Sequence, residues 1–161
     1  MSNSIILKTI QFVFALGILT VFGACNKKCK SLKNTETGSI LNAYDFKDCY
    51  VYATFDSTLL IRSDSAFTAY KQKQFIHCTP SSLDAVDFSK NMIIGYKIKV
   101  NACNVGFHRN ISIDTTAKTF NYNIEYDLCR GCGAELTGTN IVVAPQIPLG
   151  YTLKFSSKER Q

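Results

Sequence analysis

Phe120-Asn121-Tyr122-Asn123-Ile124-Glu125-Tyr126-Asp127-Leu128 alternates apolar and polar residues without a break. A period of two is the signature of a strand with one face in the core and the other in water. Upstream, Phe107, Ile111 and Ile113 alternate with His108, Asn110 and Ser112. The polar link Asp114-Thr115-Thr116-Ala117-Lys118 joins the two runs and makes them antiparallel neighbours. Met92, Ile94, Tyr96, Ile98 and Val100 repeat the pattern against Lys97, Lys99 and Asn101. Ile141-Val142-Val143-Ala144 is a short continuous apolar run ended by Pro145, and Tyr151, Leu153 and Phe155 form a last strand after the Pro148-Leu149-Gly150 turn.

Further upstream the signals are shorter. Tyr50–Phe55 and Leu59–Arg62 flank Asp56-Ser57-Thr58 as a hairpin. Ser63 or Asp64 caps a helix starting near Ser65, with Ala66, Phe67 and Tyr70 on one face. Lys71 and Lys73 near its end suit the helix dipole. Pro80 marks a connection rather than a central strand. The expected fold is α+β: a curled antiparallel sheet of about six to seven short strands, one face covered by one helix and the other wet.

Size and composition fit that fold. The chain has 161 residues, 46% of them hydrophobic, enough for one folded domain and far from the disordered range. Residues 1–24 read as a leader. Lys8 is their one charged residue, and Phe12–Phe22 is an apolar run shorter than the roughly 20 residues that span a bilayer. Residues 26–43 carry Lys27, Lys28, Lys30 and Lys33 against Glu36, a net +3, whereas the chain from Tyr44 onward is only +2. A nucleic-acid reader carries its basic stripe on the folded body, so nucleic acid is not an expected partner. Lysines in a tether instead meet anionic headgroups or simply keep it solvated.

Phe22-Gly23-Ala24-Cys25 resembles the lipobox of bacterial lipoproteins, in which the cysteine is acylated and becomes the mature N-terminus. That resemblance implies acyl chains on Cys25 and a membrane as partner; two or more chains anchor stably where one does not. The expected organisation is a lipoprotein signal peptide at 1–24, a lipidated basic tether at 25–43 and one α+β domain at 44–161, held in the cell envelope, with the outer membrane as the expected site. A second resemblance covers residues 59–156. It rests on Ile61-Arg62-Ser63-Asp64, Val86-Asp87-Phe88-Ser89-Lys90, Ala102-Cys103-Asn104-Val105-Gly106-Phe107, the Cys132 region and Asn140–Pro148. Together these look like a group of lipoproteins from Bacteroidota and, more distantly, the C-terminal domain of the protease-complex subunit PrcB. The resemblance implies an accessory module with no catalytic signature and an envelope protein as partner.

With Cys25 acylated, six cysteines remain: Cys29, Cys49, Cys78, Cys103, Cys129 and Cys132. An exported chain meets an oxidising compartment, so an even set points to disulfides, among fifteen possible connectivities. The expected bridge is Cys103 to Cys132, with Cys129 competing for the same partner. Closing that loop is worth roughly 3 kcal/mol. Cys129-x-x-Cys132 with Cys103 and His108 has zinc-binding residue types, but the second close-set knuckle of a zinc ribbon is missing. A thiol-redox pair lacks its surrounding βαβ pattern. No cofactor or metal is therefore expected.

Catalytic motifs are scarce. The chain carries no Gly-x-Ser-x-Gly, His-Glu-x-x-His or Gly-x-x-x-x-Gly-Lys. Glu125 and Asp127, two residues apart on one strand face, could serve a small envelope hydrolase as paired carboxylates. Such a row is more often a wetted sheet face, and His108 is expected to be solvated there. The favoured expectation is a lipid-anchored, non-catalytic binding or accessory module; the alternative is the hydrolase.

Overall fold

The computed structural model describes residues 32–44, 57–74, 86–131 and 133–160. They belong to one compact unit, residues 32–161. Its elements in chain order are β1 (Thr35–Gly38), β2 (Asn42–Tyr44), β3 (Thr58–Ile61), α1 (Asp64–Gln74), β4 (Asn91–Asn101), β5 (Asn104–Asp114), β6 (Thr119–Cys129), β7 (Glu135–Pro145) and β8 (Thr152–Glu159). The eight strands form two four-stranded sheets, β1-β5-β6-β8 and β2-β7-β4-β3. The α+β class therefore holds, whereas the single sheet expected from the alternation is corrected to two.

The reason lies at a bend. β4 pairs antiparallel with β7 along its full length, from Asn91↔Pro145 to Asn101↔Glu135. β5 pairs antiparallel with β6, from Asn104↔Cys129 to Asp114↔Thr119. The four strands are thus one long two-stranded ribbon folded in half, with Ala102-Cys103 crossing between sheets on one arm and the chain after Cys129 entering β7 at Glu135 on the other. Backbone hydrogen bonds stitch the bend: Ala102 N–H donates to Ala134 O at 2.9 Å and Cys103 N–H to Cys129 O at 2.7 Å. Period-two alternation reads identically on either side of such a fold, so it does not distinguish one sheet from two.

The two halves pack face to face. Met92, Ile94, Ile98, Val100, Val142 and Ala144 from one sheet meet Phe107, Ile111, Phe120, Tyr122 and Ile124 from the other. Gly138 makes this close approach possible, since a Cβ there would lie 2.3 Å from Cζ of Phe107. On the outer face of the β2-β7-β4-β3 sheet, Ile93, Ile141 and Val143 form a second cluster with Tyr44, Ile61, Phe88 and Phe67 of α1. That sheet is buried on both faces, which explains the unbroken apolar runs Met92-Ile93-Ile94 and Ile141-Val142-Val143-Ala144. The β1-β5-β6-β8 sheet buries one face only and keeps strict alternation.

α1 begins as expected. Ser63 is its N-cap, its Oγ accepting from Ala66 N–H at 3.3 Å. Phe67 is buried and Tyr70 half-buried, whereas Ala66 is exposed and does not join the core face. Tyr70 packs against the second cluster, and burial pushes its hydroxyl pKa up to about 12.

Three further expectations change. The folded unit starts at Leu32 rather than Tyr44, because β1 and β2 fall inside the segment expected to be tether. β1 pairs with β5 and β8 with β6, both in parallel, so the β1-β5-β6-β8 sheet is mixed rather than wholly antiparallel. Ile113 is 40% exposed rather than core. The Tyr50–Phe55 arm of the expected hairpin lies outside the described residues.

Candidate functional site

The outward face of the β1-β5-β6-β8 sheet carries the polar half of the alternation. Residues opposite one another in adjacent strands point to the same side, so register alone assembles cross-sheet rows. One row is Thr35, His108, Glu125 and Lys158; the next is Thr37, Asn110, Asn123 and Ser156. Both rows, with Arg160 beyond the end of β8, line a groove of about 690 Å³.

Hydrogen bonds fix most of these side chains. His108 bridges two elements, its Nδ1 lying 2.7 Å from Thr35 Oγ1 and its Nε2 2.7 Å from Asp127 Oδ2. Both ring nitrogens are engaged, which corrects the solvated histidine expected on this face. Asp127 accepts from Nε2–H, and Nδ1 pairs with the Thr35 hydroxyl, accepting from it when the ring is neutral and donating to it when the ring is protonated. Lys158 Nζ lies 2.8 Å from Glu125 Oε1. The Arg160 guanidinium lies 3.9 Å from Glu125 Oε2 and 3.7 Å from Asp127 Oδ2. In the second row Asn110 Nδ2 donates to Thr37 Oγ1 at 2.8 Å, and Ser156 Oγ donates to Asn123 Oδ1 at 2.7 Å.

The two carboxylates singled out by sequence are therefore on one face, where they share Arg160 but differ in their closest partners, Lys158 for Glu125 and His108 for Asp127. The hydrogen bond from Lys158 holds the Glu125 carboxyl below its usual range, with Arg160 and His108 helping. A carboxyl with a lowered pKa is a poorer proton donor, which weighs against Glu125 as the general acid of a paired-carboxylate hydrolase. Asp127 orients His108 instead.

Beneath the groove, on the inward side of the same strands, lies a polar network that sequence reasoning did not find. Arg109 Nη1 donates to Glu36 Oε1 at 2.7 Å and Arg109 Nε to Asn140 Oδ1 at 2.9 Å. Asn140 Nδ2 donates to Tyr96 O at 3.4 Å, and Tyr122 Oη to Asn140 O at 3.2 Å. Burial pushes the Tyr122 hydroxyl well above its ordinary pKa. The network ties β1 and β5 to β7 across the core and sets the floor on which the groove rests. Its sequence signal was Arg109 itself, a charge in phase with Phe107 and Ile111.

Among the cysteines, Cys103 and Cys129 lie at the bend, and both are disulfide-bonded. His108, the fourth residue of the zinc grouping weighed from sequence, has both nitrogens committed to Thr35 and Asp127. Cys25, Cys29, Cys49, Cys78 and Cys132 lie outside the described residues, as does the leader. Comparison of the chain with protein-family models, curated proteins and solved structures returns no match.

Proposed function

We propose that this chain is a lipid-anchored cell-envelope protein whose folded body is a non-catalytic protein-binding module, anchored by acyl chains on Cys25. The observation that supports it best is the groove. Its charged groups pair with one another, its other side chains are hydroxyls and carboxamides apart from Ile124, and the pKa of its lining carboxyl, Glu125, is lowered by Lys158. Such a surface is equipped to hold a partner rather than to move protons. The resemblance to the PrcB C-terminal domain adds the direction of an accessory role beside a protease. The bridge from Cys103 to Cys132, with Cys129 as competitor, belongs to the same proposal as a staple near the bend.

The test is site-specific photocrosslinking in the intact envelope, with the probe at Ser157, which lines the groove, in one strain and at exposed Lys73 of α1 in another. A discrete crosslinked protein from Ser157 and none from Lys73 is expected. Absence of any product from Ser157 would overturn the binding role.

One arrangement favours the second reading, a small hydrolase. Thr35 Oγ1, His108 and Asp127 stand in the order hydroxyl, imidazole, carboxylate at hydrogen-bond distances. In that reading Asp127 keeps a role and Glu125 loses the one sequence gave it. Covalent labelling by a fluorophosphonate that disappears in Thr35→Ala would establish it; no labelling of the native chain removes it.

A further inference from the structure

The groove also specifies a class of ligand, an inference that rests on the binding role proposed above. Its centre is the row Thr37, Asn110, Asn123, Ser156, aligned residue for residue across four strands. Neighbouring members stand about 5 Å apart on one face. A carboxamide has two N–H donors and a carbonyl with two lone pairs. Asn110 spends one N–H on Thr37, and Asn123 spends a lone pair on Ser156. Among the described residues Asn110 thus keeps its whole carbonyl and Asn123 both of its N–H groups. An acceptor and a donor stand side by side in mid-groove, held by the hydroxyls that flank them.

One residue of an extended peptide offers the complement, an N–H and a C=O on the same edge of its backbone. Charge points the same way. At the neighbouring end Lys158 and Arg160 face Glu125 and Asp127, two cations against two carboxylates, so nothing there selects a charged ligand. No Phe, Tyr or Trp lines the groove among the described residues, and the His108 ring is held edge-on to its partners Thr35 and Asp127 through both nitrogens, so the apolar faces of sugar rings find no broad platform. The volume lies within the roughly 300–1,000 Å³ of small-ligand sites. We propose that the groove binds an uncharged, extended peptide segment of an envelope protein, held by hydrogen bonds from its backbone to Asn110 and Asn123.

The test uses the full processed chain, ¹⁵N-labelled in detergent, and acetyl-Gly-Ser-Gly-Ser-Gly-amide as probe, read at the side-chain amides of Asn110 and Asn123. Saturable shifts at both are expected with the plain peptide. Affinity should fall about fivefold with the N-methylated peptide, as for one lost hydrogen bond. The isosteric Asn123→Asp, which keeps the acceptor and removes the donors, should weaken binding similarly while leaving the backbone spectrum elsewhere unchanged. No saturable shift at millimolar peptide overturns the proposal, as does equal binding of the N-methylated probe. Saturation by triacetylchitotriose in place of the peptide would make the site a glycan site and overturn the protein-binding role as well. A crosslinked partner at Ser157 without a peptide shift would remove the peptide class alone.

Discussion

Arg109 and Glu36 meet inside the sheet stack at 2.7 Å, joining a strand from the start of the folded unit to one from its middle. The Arg109 side chain is 9% exposed and that of Glu36 is 34% exposed. The guanidinium is thus the desolvated member, and the carboxylate reaches it from the sheet edge. Removing one partner of a buried pair strands the other charge, which costs more than the pair itself contributes.

Glu36→Gln should therefore destabilise the protein by about 2 kcal/mol, below the full range for buried pairs because Glu36 is partly solvated. Urea unfolding measures it. The double variant Glu36→Gln with Arg109→Met should recover part of the loss, since no charge is then left in the core; equal or greater destabilisation would show that the pair is not electrostatically coupled.

Gly138→Ala places a Cβ against the Phe107 ring. Because that ring lies in the packed core, the expected cost is about 1–3 kcal/mol. Phe107→Leu in the same chain should return some of it by vacating the space. Thermal unfolding of the three variants decides the matter.

Glu125 titrates below its ordinary range because Lys158 bonds to it. A carboxyl depressed in the folded state contributes stability that is fully present above its unfolded pKa of about 4.3. That contribution is lost as pH falls through the lower folded value. Lys158→Met should raise the Glu125 pKa towards ordinary values and remove this acid-side dependence, read from the carboxyl carbon shift in an NMR titration.

Cys25→Ser should release the protein from membranes into the soluble fraction, because a lost acyl site removes the anchor. Unchanged partitioning would argue against lipidation at that position.

The unreduced mature chain should show fewer than two free thiols by titration, as expected for an exported protein. Five or six would contradict a disulfide framework.

How much of this was legible beforehand follows from what periodicity encodes. Alternation along residues 120–128 located β6, its buried aromatics and the row of Asn121, Asn123, Glu125 and Asp127 facing outward. Ser63 announced the helix start. The second sheet escaped because a ribbon bent at Ala102-Cys103 keeps its period on both arms. β1 and β2 escaped because short edge strands of Thr, Glu, Gly and Asn carry little apolar signal, and their pairing is decided by tertiary contacts with β5 and β7. The first half of β7, Glu135–Asn140, was equally silent, since Gly138 gives a strand no side chain to pack. The groove depended on these misses. Thr35 and Thr37 reach it through β1, and Lys158 and Arg160 reach it from the far end of the last strand, so no local window of sequence holds the site.

The ribbon folded in half also carries an instruction about assembly. Its tip, Asp114 opposite Thr119, closes across a few residues, whereas its far end joins Asn91 to Pro145. Each rung formed from the tip outward shortens the span that the next must close, so most of the entropy of loop closure is met in small instalments. Zipping in that order reaches the Cys103 and Cys129 positions midway, before the outer rungs have met. The flanking β1 and β8 then have a finished template on which to lie down.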